Sequence, residues 1–156
     1  MCWQCDNPDR TEADYLRLLR ENILEHGWAV QGVEGAPPHP PWAYTVGLTE
    51  FGVPELVATG LELRPAARLL NDWAALSVEV RPPRPGEVIP LCGGGRIEAV
   101  PLTEPSAHLV FAVALYGPEI EATQLVHADE CGRWPWSADF RDGRGGQPVL
   151  GVRCHG

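Results

Sequence analysis

The sequence predicts an α+β domain in which a mostly antiparallel sheet of about six strands, closing in part into a split barrel, is covered by about three helices. Three observations carry this. Two pairs of short apolar runs, 42–48 with 54–60 and 87–91 with 96–102, are each joined by a Gly-containing connection, which is the pattern of β-hairpins. Two longer segments, 11–25 and 64–78, repeat apolar residues at helical spacing. At 156 residues the chain is long enough to bury a real core and is most simply one domain, 1–156.

The first helix follows a ten-residue segment that holds Cys2 and Cys5. Thr11 and Asp14 have capping-box spacing at its start, Tyr15, Leu16, Leu19, Ile23 and Leu24 form its apolar stripe, and Gly27 stops it. A short strand, 28–33, leads to 36–41, where clustered prolines enforce an extended arm. In the first hairpin, Trp42, Tyr44, Val46 and Leu48 share one face. Ala43, Thr45 and Gly47 share the other, a face small enough for a backbone or a flat ligand to approach closely. Pro54 suits the start of the second strand because it has no N–H for a ladder. Pro65 opens the second helix, which runs to about residue 78. The Pro-rich segment 81–86 ends it, and the hairpin of 87–91 and 96–102 turns through Cys92-Gly93-Gly94-Gly95. That glycine triplet lacks the Lys-Ser/Thr and the helix of a phosphate loop. Length, alanines and the flanking Pro105 and Gly117 predict one helix over 105–116, and 121–128 reads as the last strand. Residues 132–156 form an irregular tail whose tryptophans wrap one end of the sheet.

Composition excludes several function classes. A net charge of −9 with no basic cluster disfavours nucleic acid. No run of about 18 apolar residues exists to span a membrane, and no basic-then-apolar leader opens the chain, so the expected location is the cytoplasm. There, five cysteines are expected to be reduced rather than paired.

Three constellations are candidates for chemistry. Cys2-x-x-Cys5 has the spacing with which two thiolates chelate Zn²⁺, and the remaining ligands would come from His26, His127, Cys131, Cys154 or His155. The alternative is two ordinary thiols. Glu55, His108, His127 and Asp129, with the hydroxyls of Tyr44 and Thr45, form a carboxylate and histidine set. Within it, His127 and Asp129 fall on one face of their strand as a base and its neighbour or as two metal ligands. Trp28, Trp42, Tyr44, Trp134 and Trp136 are the candidate walls of an aromatic pocket for a flat ring such as a flavin. No G-x-S-x-G, H-E-x-x-H or ordered Ser/His/Asp pattern accompanies them.

The runs CWQCD, HGWAVQ, PPWAYTVGLT, PELVATGL, LLN, AHLVFAVALYG, QLVHAD, GRWPW and GGQPVLG resemble the bacterial family called domain of unknown function 4262 over nearly the whole chain. The resemblance attaches no reaction. It draws attention again to Cys2, Cys5, Trp28, Tyr44, Thr45, Glu55, His108, Asp129, Trp134 and Trp136, and adds Asn71 and Gln124. More remotely, strand, tight connection, a second strand opening Pro-x-Leu-Val and then a helix are similar to the flavin-binding split barrels. Those barrels place a phosphate clamp near the hairpin, which has no evident counterpart here. Three functions follow as expectations. The first is a small zinc-binding domain, and the second is a split-barrel oxidoreductase with a flavin. The third is an accessory protein that presents its Pro-rich arm or Trp-rich tail to a protein partner.

Overall fold

The computed structural model describes residues 11–154. Helix α1, Glu12–His26, begins as expected: the Thr11 hydroxyl accepts from the Asp14 N–H and the Asp14 carboxylate accepts from the Thr11 N–H. It ends at Gly27, whose φ of 95° lets its N–H turn back to the Ile23 carbonyl. Leu19 and Ile23 are buried, while Leu24 faces outward.

Six strands follow: β1 Ala29–Val33, β2 Trp42–Val46, β3 Glu55–Thr59, β4 Val88–Pro90, β5 Arg96–Pro101 and β6 Ala122–His127. They form one sheet in the order β1-β2-β3-β6-β5-β4. Two corrections to the expected architecture arise here. The sheet is mixed, because β6 lies parallel to β3 with Val57 opposite Gln124, while the other four pairings are antiparallel. It is also open rather than a split barrel, with β1 and β4 as separate edges. Local sequence pattern reports strands but not which distant strands become neighbours, and the β3–β6 pairing is decided by the packing of everything between them.

Helix α2, Leu63–Glu79, lies across β1, β2 and β3. Its Ala66, Leu70 and Ala74 pack with Ala43, Leu56, Ala58, Ile97 and Leu125. The small face of β2 therefore admits a helix, not a flat ligand. Leu48 joins this same cluster, although strict alternation puts it with Tyr44, because Gly47 at φ 128° ends the strand and starts a 3-10 turn at Leu48–Phe51. A Cβ at Gly47 would stand 2.9 Å from both the Gly27 carbonyl oxygen and the Trp28 Cα, so the position also needs glycine for space.

The opposite sheet face carries Tyr44, Val46, Val57 and Ala122 against Leu19 and Ile23 of α1. The predicted helix over 105–116 is two helices, α3 Pro105–His108 and α4 Val110–Tyr116, so four helices are present among the described residues instead of about three. The break is at Leu109 (φ −103°, ψ 63°), which is fully buried in this core. It frees the Phe111 N–H to donate to the buried Tyr44 hydroxyl at 3.1 Å.

The tail beyond β6 is irregular, as expected, but well anchored. The Gln124 side chain donates to the Thr59 hydroxyl and the Pro148 carbonyl and accepts from the Leu150 N–H. Gln147 accepts from the His127 N–H and donates to the His127 carbonyl, standing in for a strand partner at the end of β6. Further along, Trp134 and Trp136 stack with ring centroids 5.2 Å apart, with Arg96 over the first ring and Arg153 over the second. Arg153 also forms a two-point ion pair with Glu98 on β5. The tail is thus clasped to the sheet by both its polar and its aromatic side chains.

Candidate functional site

The parallel pair β3 and β6 sends two strand ends in the same direction, and the chain beyond them opens a cleft. A cleft of about 610 Å³ lies there, walled by Leu61 after β3, residues 127–131 and Arg133 after β6, and Arg141, Asp142, Arg144 and Gly145 of the tail. Ligands in open sheets that contain parallel strands favour the carboxyl ends of those strands, where turns rather than ladders present side chains and backbone groups. Its size is that of a small-molecule site.

Asp129 builds the cleft wall. One of its oxygens accepts from the N–H groups of Cys131 and Arg133, and the other from the Arg133 Nε and the Arg141 N–H. Burial works to raise this carboxyl, but these four donors outweigh it and hold the group down at about 2. It is anionic and saturated, a hub for the loop rather than a base.

Arg141 is the centre of the cleft. It sits in a second 3-10 turn, Phe140–Gly143, in which Arg141 and Asp142 adopt left-handed conformations at φ 49° and 57°. Two consecutive non-glycine residues in this region cost roughly 1–2 kcal/mol each. The Asp129 acceptor on the Arg141 N–H and the Arg144 Nε donation to the Arg141 carbonyl oppose that cost. The strain aims the guanidinium inward, where it donates to the carbonyls of Gly60 and Gly145 and meets the Nε2 of His127 at 3.2 Å.

An arginine N–H can only donate, so His127 Nε2 accepts and the ring proton resides on Nδ1. That Nδ1 is buried and has no partner among the described residues. Burial, reinforced by the Arg141 charge, pushes the imidazole down to about 4, so it is neutral at pH 7.

The other predicted residues fall elsewhere. Glu55 is fully buried and accepts from the Thr45 and Thr49 hydroxyls and from the N–H groups of Gly47, Leu48 and Thr49. Burial pushes its carboxyl up, and these donors oppose that rise without cancelling it. Three of the five are backbone N–H groups, which can only donate, so the cage is built for an anion at the start of the 3-10 turn. Thr45 also accepts from the Leu56 N–H. Glu55 and Thr45 are therefore a turn clamp. The Tyr44 hydroxyl, pushed up to about 12 by burial, is spent on Phe111. His108 closes α3, away from the cleft wall. His127 and Asp129 do line one cleft, yet they are joined through Arg141 rather than directly.

The five aromatics do not gather into one pocket. Trp28 packs on the α2 side and donates to Asn71, Trp42 and Tyr44 lie on the α1 side, and Trp134 and Trp136 stack on each other. Cys2, Cys5 and His155 lie outside the described residues. Of the other zinc ligands named, His26 is exposed at the end of α1, His127 is engaged by Arg141, Cys131 lines the cleft and Cys154 is exposed beside Gly86. Among the described residues no three ligating side chains converge.

No motif in the sequence singles out Arg141, Arg133 or Gln147. The signal available was the segment FRDGRGG, where two arginines flank an Asp-Gly turn pair inside a glycine-rich stretch. Among the described residues no helix is long and apolar enough to cross a membrane. No match was found among curated proteins or among solved structures. The family described as Domain of unknown function (DUF4262) matches residues 22–141, more than half of the chain and a span that contains the β3–β6 junction and reaches Arg141, and the chain belongs to that family.

Proposed function

We propose that this protein is a small-molecule-binding domain whose ligand occupies the cleft at the carboxyl ends of β3 and β6. The observation that carries the proposal is Arg141: a half-buried guanidinium on a strained backbone, held against a neutral histidine, with no carboxylate among its hydrogen-bond partners in the described residues. Structural arginines are ordinarily matched to carboxylates, as Arg133, Arg81 and Arg153 are here. Strain kept at a cleft without such a match is characteristic of binding sites. Amide NMR spectra of the full chain against a mixture of small polar fragments provide the test. Shifts clustering at 127–133 and 141–145 are expected, and shifts spread evenly over the surface would reject the proposal.

The zinc expectation stands as a separate proposal that rests on Cys2 and Cys5. Elemental mass spectrometry of untagged protein checks it: about one zinc per chain, lost in the Cys2→Ser/Cys5→Ser double variant, supports it. A flavin proposal predicts saturable quenching of tryptophan fluorescence by FMN, and a flat titration rejects it. The dispersal of the five aromatics gives that proposal no support from packing.

A further inference from the structure

The cleft holds three arginines and three carboxylates in a chain whose formal charge is −9, so it is far less acidic than the molecule as a whole. These charges are not equally available. Asp129 is saturated by four donors, and Asp142 is shared between Arg133 at 3.1 Å and Arg144 at 3.9 Å. Among the described residues the Arg141 guanidinium, alone of the three, has only neutral hydrogen-bond partners. Its guanidinium carries five N–H groups. The two carbonyls and His127 take three of them, and the other two have no acceptor among the described residues.

We propose that the ligand of this cleft carries an oxyanion, a carboxylate or a phosphate group, that docks on the guanidinium of Arg141. The inference rests on the cleft being the binding site. Arg141 is fixed by contacts on both terminal nitrogens, so the direction of its remaining donors is set before a ligand arrives and little side-chain entropy is lost on binding. His127 contributes by staying neutral: it accepts from Arg141 and orients it without adding a competing charge. Arg133 and Arg144 are neutralised in their pairs with Asp129 and Asp142, and the third carboxylate of the lining, Glu130, is exposed to solvent, so the attraction for an anion is local to the Arg141 guanidinium rather than a field of the whole cleft. The cleft volume, about 610 Å³, and the apolar side chain of Leu61 leave room for an organic body behind the oxyanion, so an organic acid or a phosphate ester fits better than a bare ion.

The test compares four probes of one shape on the full chain by amide NMR titration: benzoate, phenyl phosphate, benzyl alcohol and benzylamine. The expected result is that the two anions shift resonances of 127–133 and 141–145 with at least tenfold higher affinity than the neutral and cationic probes, and that added salt weakens them. Tighter benzoate binding identifies a carboxylic acid ligand, and tighter phenyl phosphate binding a phosphate ester. Arg141→Gln is expected to lower the affinity for both anions at least tenfold. That substitution also removes contacts to Gly60 and Gly145, so the wild-type comparison of the four probes stands as a test that needs no variant. Benzyl alcohol or benzylamine seated in the cleft as tightly as the anions would overturn the oxyanion inference and leave the binding proposal intact. No cleft shifts from any of the four probes would overturn both.

Discussion

His127 converts its position into a pH dependence. Its folded-state value of about 4 lies below the ordinary 6.5, so between these values the unfolded chain binds a proton that the folded chain refuses. Stability from this residue is complete above pH 6.5 and is lost as the pH falls toward 4. By linkage the full loss is on the order of 3 kcal/mol. Urea unfolding of wild type and His127→Gln at pH 7.5 and 4.5 checks it: the variant should show a smaller drop between the two pH values. Glu55 presents the opposite design, a carboxylate sealed in a cage of donors. Glu55→Gln turns an NH₂ donor onto other donors and is expected to destabilise by about 2–4 kcal/mol, read as a lower urea midpoint. An unchanged midpoint would mean that the cage does not hold the turn. Both residues were recognisable in sequence as candidates for chemistry. What sequence does not convey is that one is spent on a turn and the other is tied to an arginine fourteen positions away.

Among the elements, β2 and α2 show how small side chains set an interface. Ala43 and Ala58 of the sheet meet Ala66 and Ala74 of the helix, and all four are essentially inaccessible. Enlarging one of them has no free space to enter. Ala58→Leu is therefore expected to cost about 1–3 kcal/mol by overpacking, and thermal unfolding would show it as a clear fall in Tm. The tail makes a second case. Gln147 replaces a strand partner for His127 with its amide, and Gln147→Ala leaves the His127 N–H and carbonyl without those partners. Faster hydrogen exchange at His127, with the β1–β2 pairing unchanged, is the expected outcome, and equal rates would show that the tail is held by its other contacts alone. The alternation in β2 and the spacing in α2 were legible because each is a local pattern. The break at Leu109 was not, because the sequence from 105 to 116 is acceptable as a continuous helix. Only the burial of Leu109 and the Tyr44 hydroxyl waiting for the Phe111 N–H favour two shorter ones.

For the molecule as a whole, the parallel pairing of β3 and β6 has the largest consequence. It turns two strand ends toward one place, and the tail returns to that place because Gly60 lets it approach: a Cβ there would lie 2.3 Å from the Gly146 carbonyl oxygen. Gly60→Ala, at φ 72°, is expected to push the tail off the end of the sheet. The matching observation is weaker binding of oxyanion probes together with faster exchange across 141–150. Retained binding and protection would place the anchor elsewhere. By itself the sequence determined the α+β class, the capped first helix, the two hairpin-forming segments, the alternating faces of β2 and the family. All of these follow from local periodicity, capping, turn residues and recurring short runs. Tertiary structure alone decided that the sheet is open and mixed, that the aromatics are dispersed and that Glu55 is enclosed. It also decided that His127 meets Arg141, since contacts between distant segments are selected by how all the apolar faces and hydrogen-bonding groups can be satisfied together, a property that no short stretch of sequence carries.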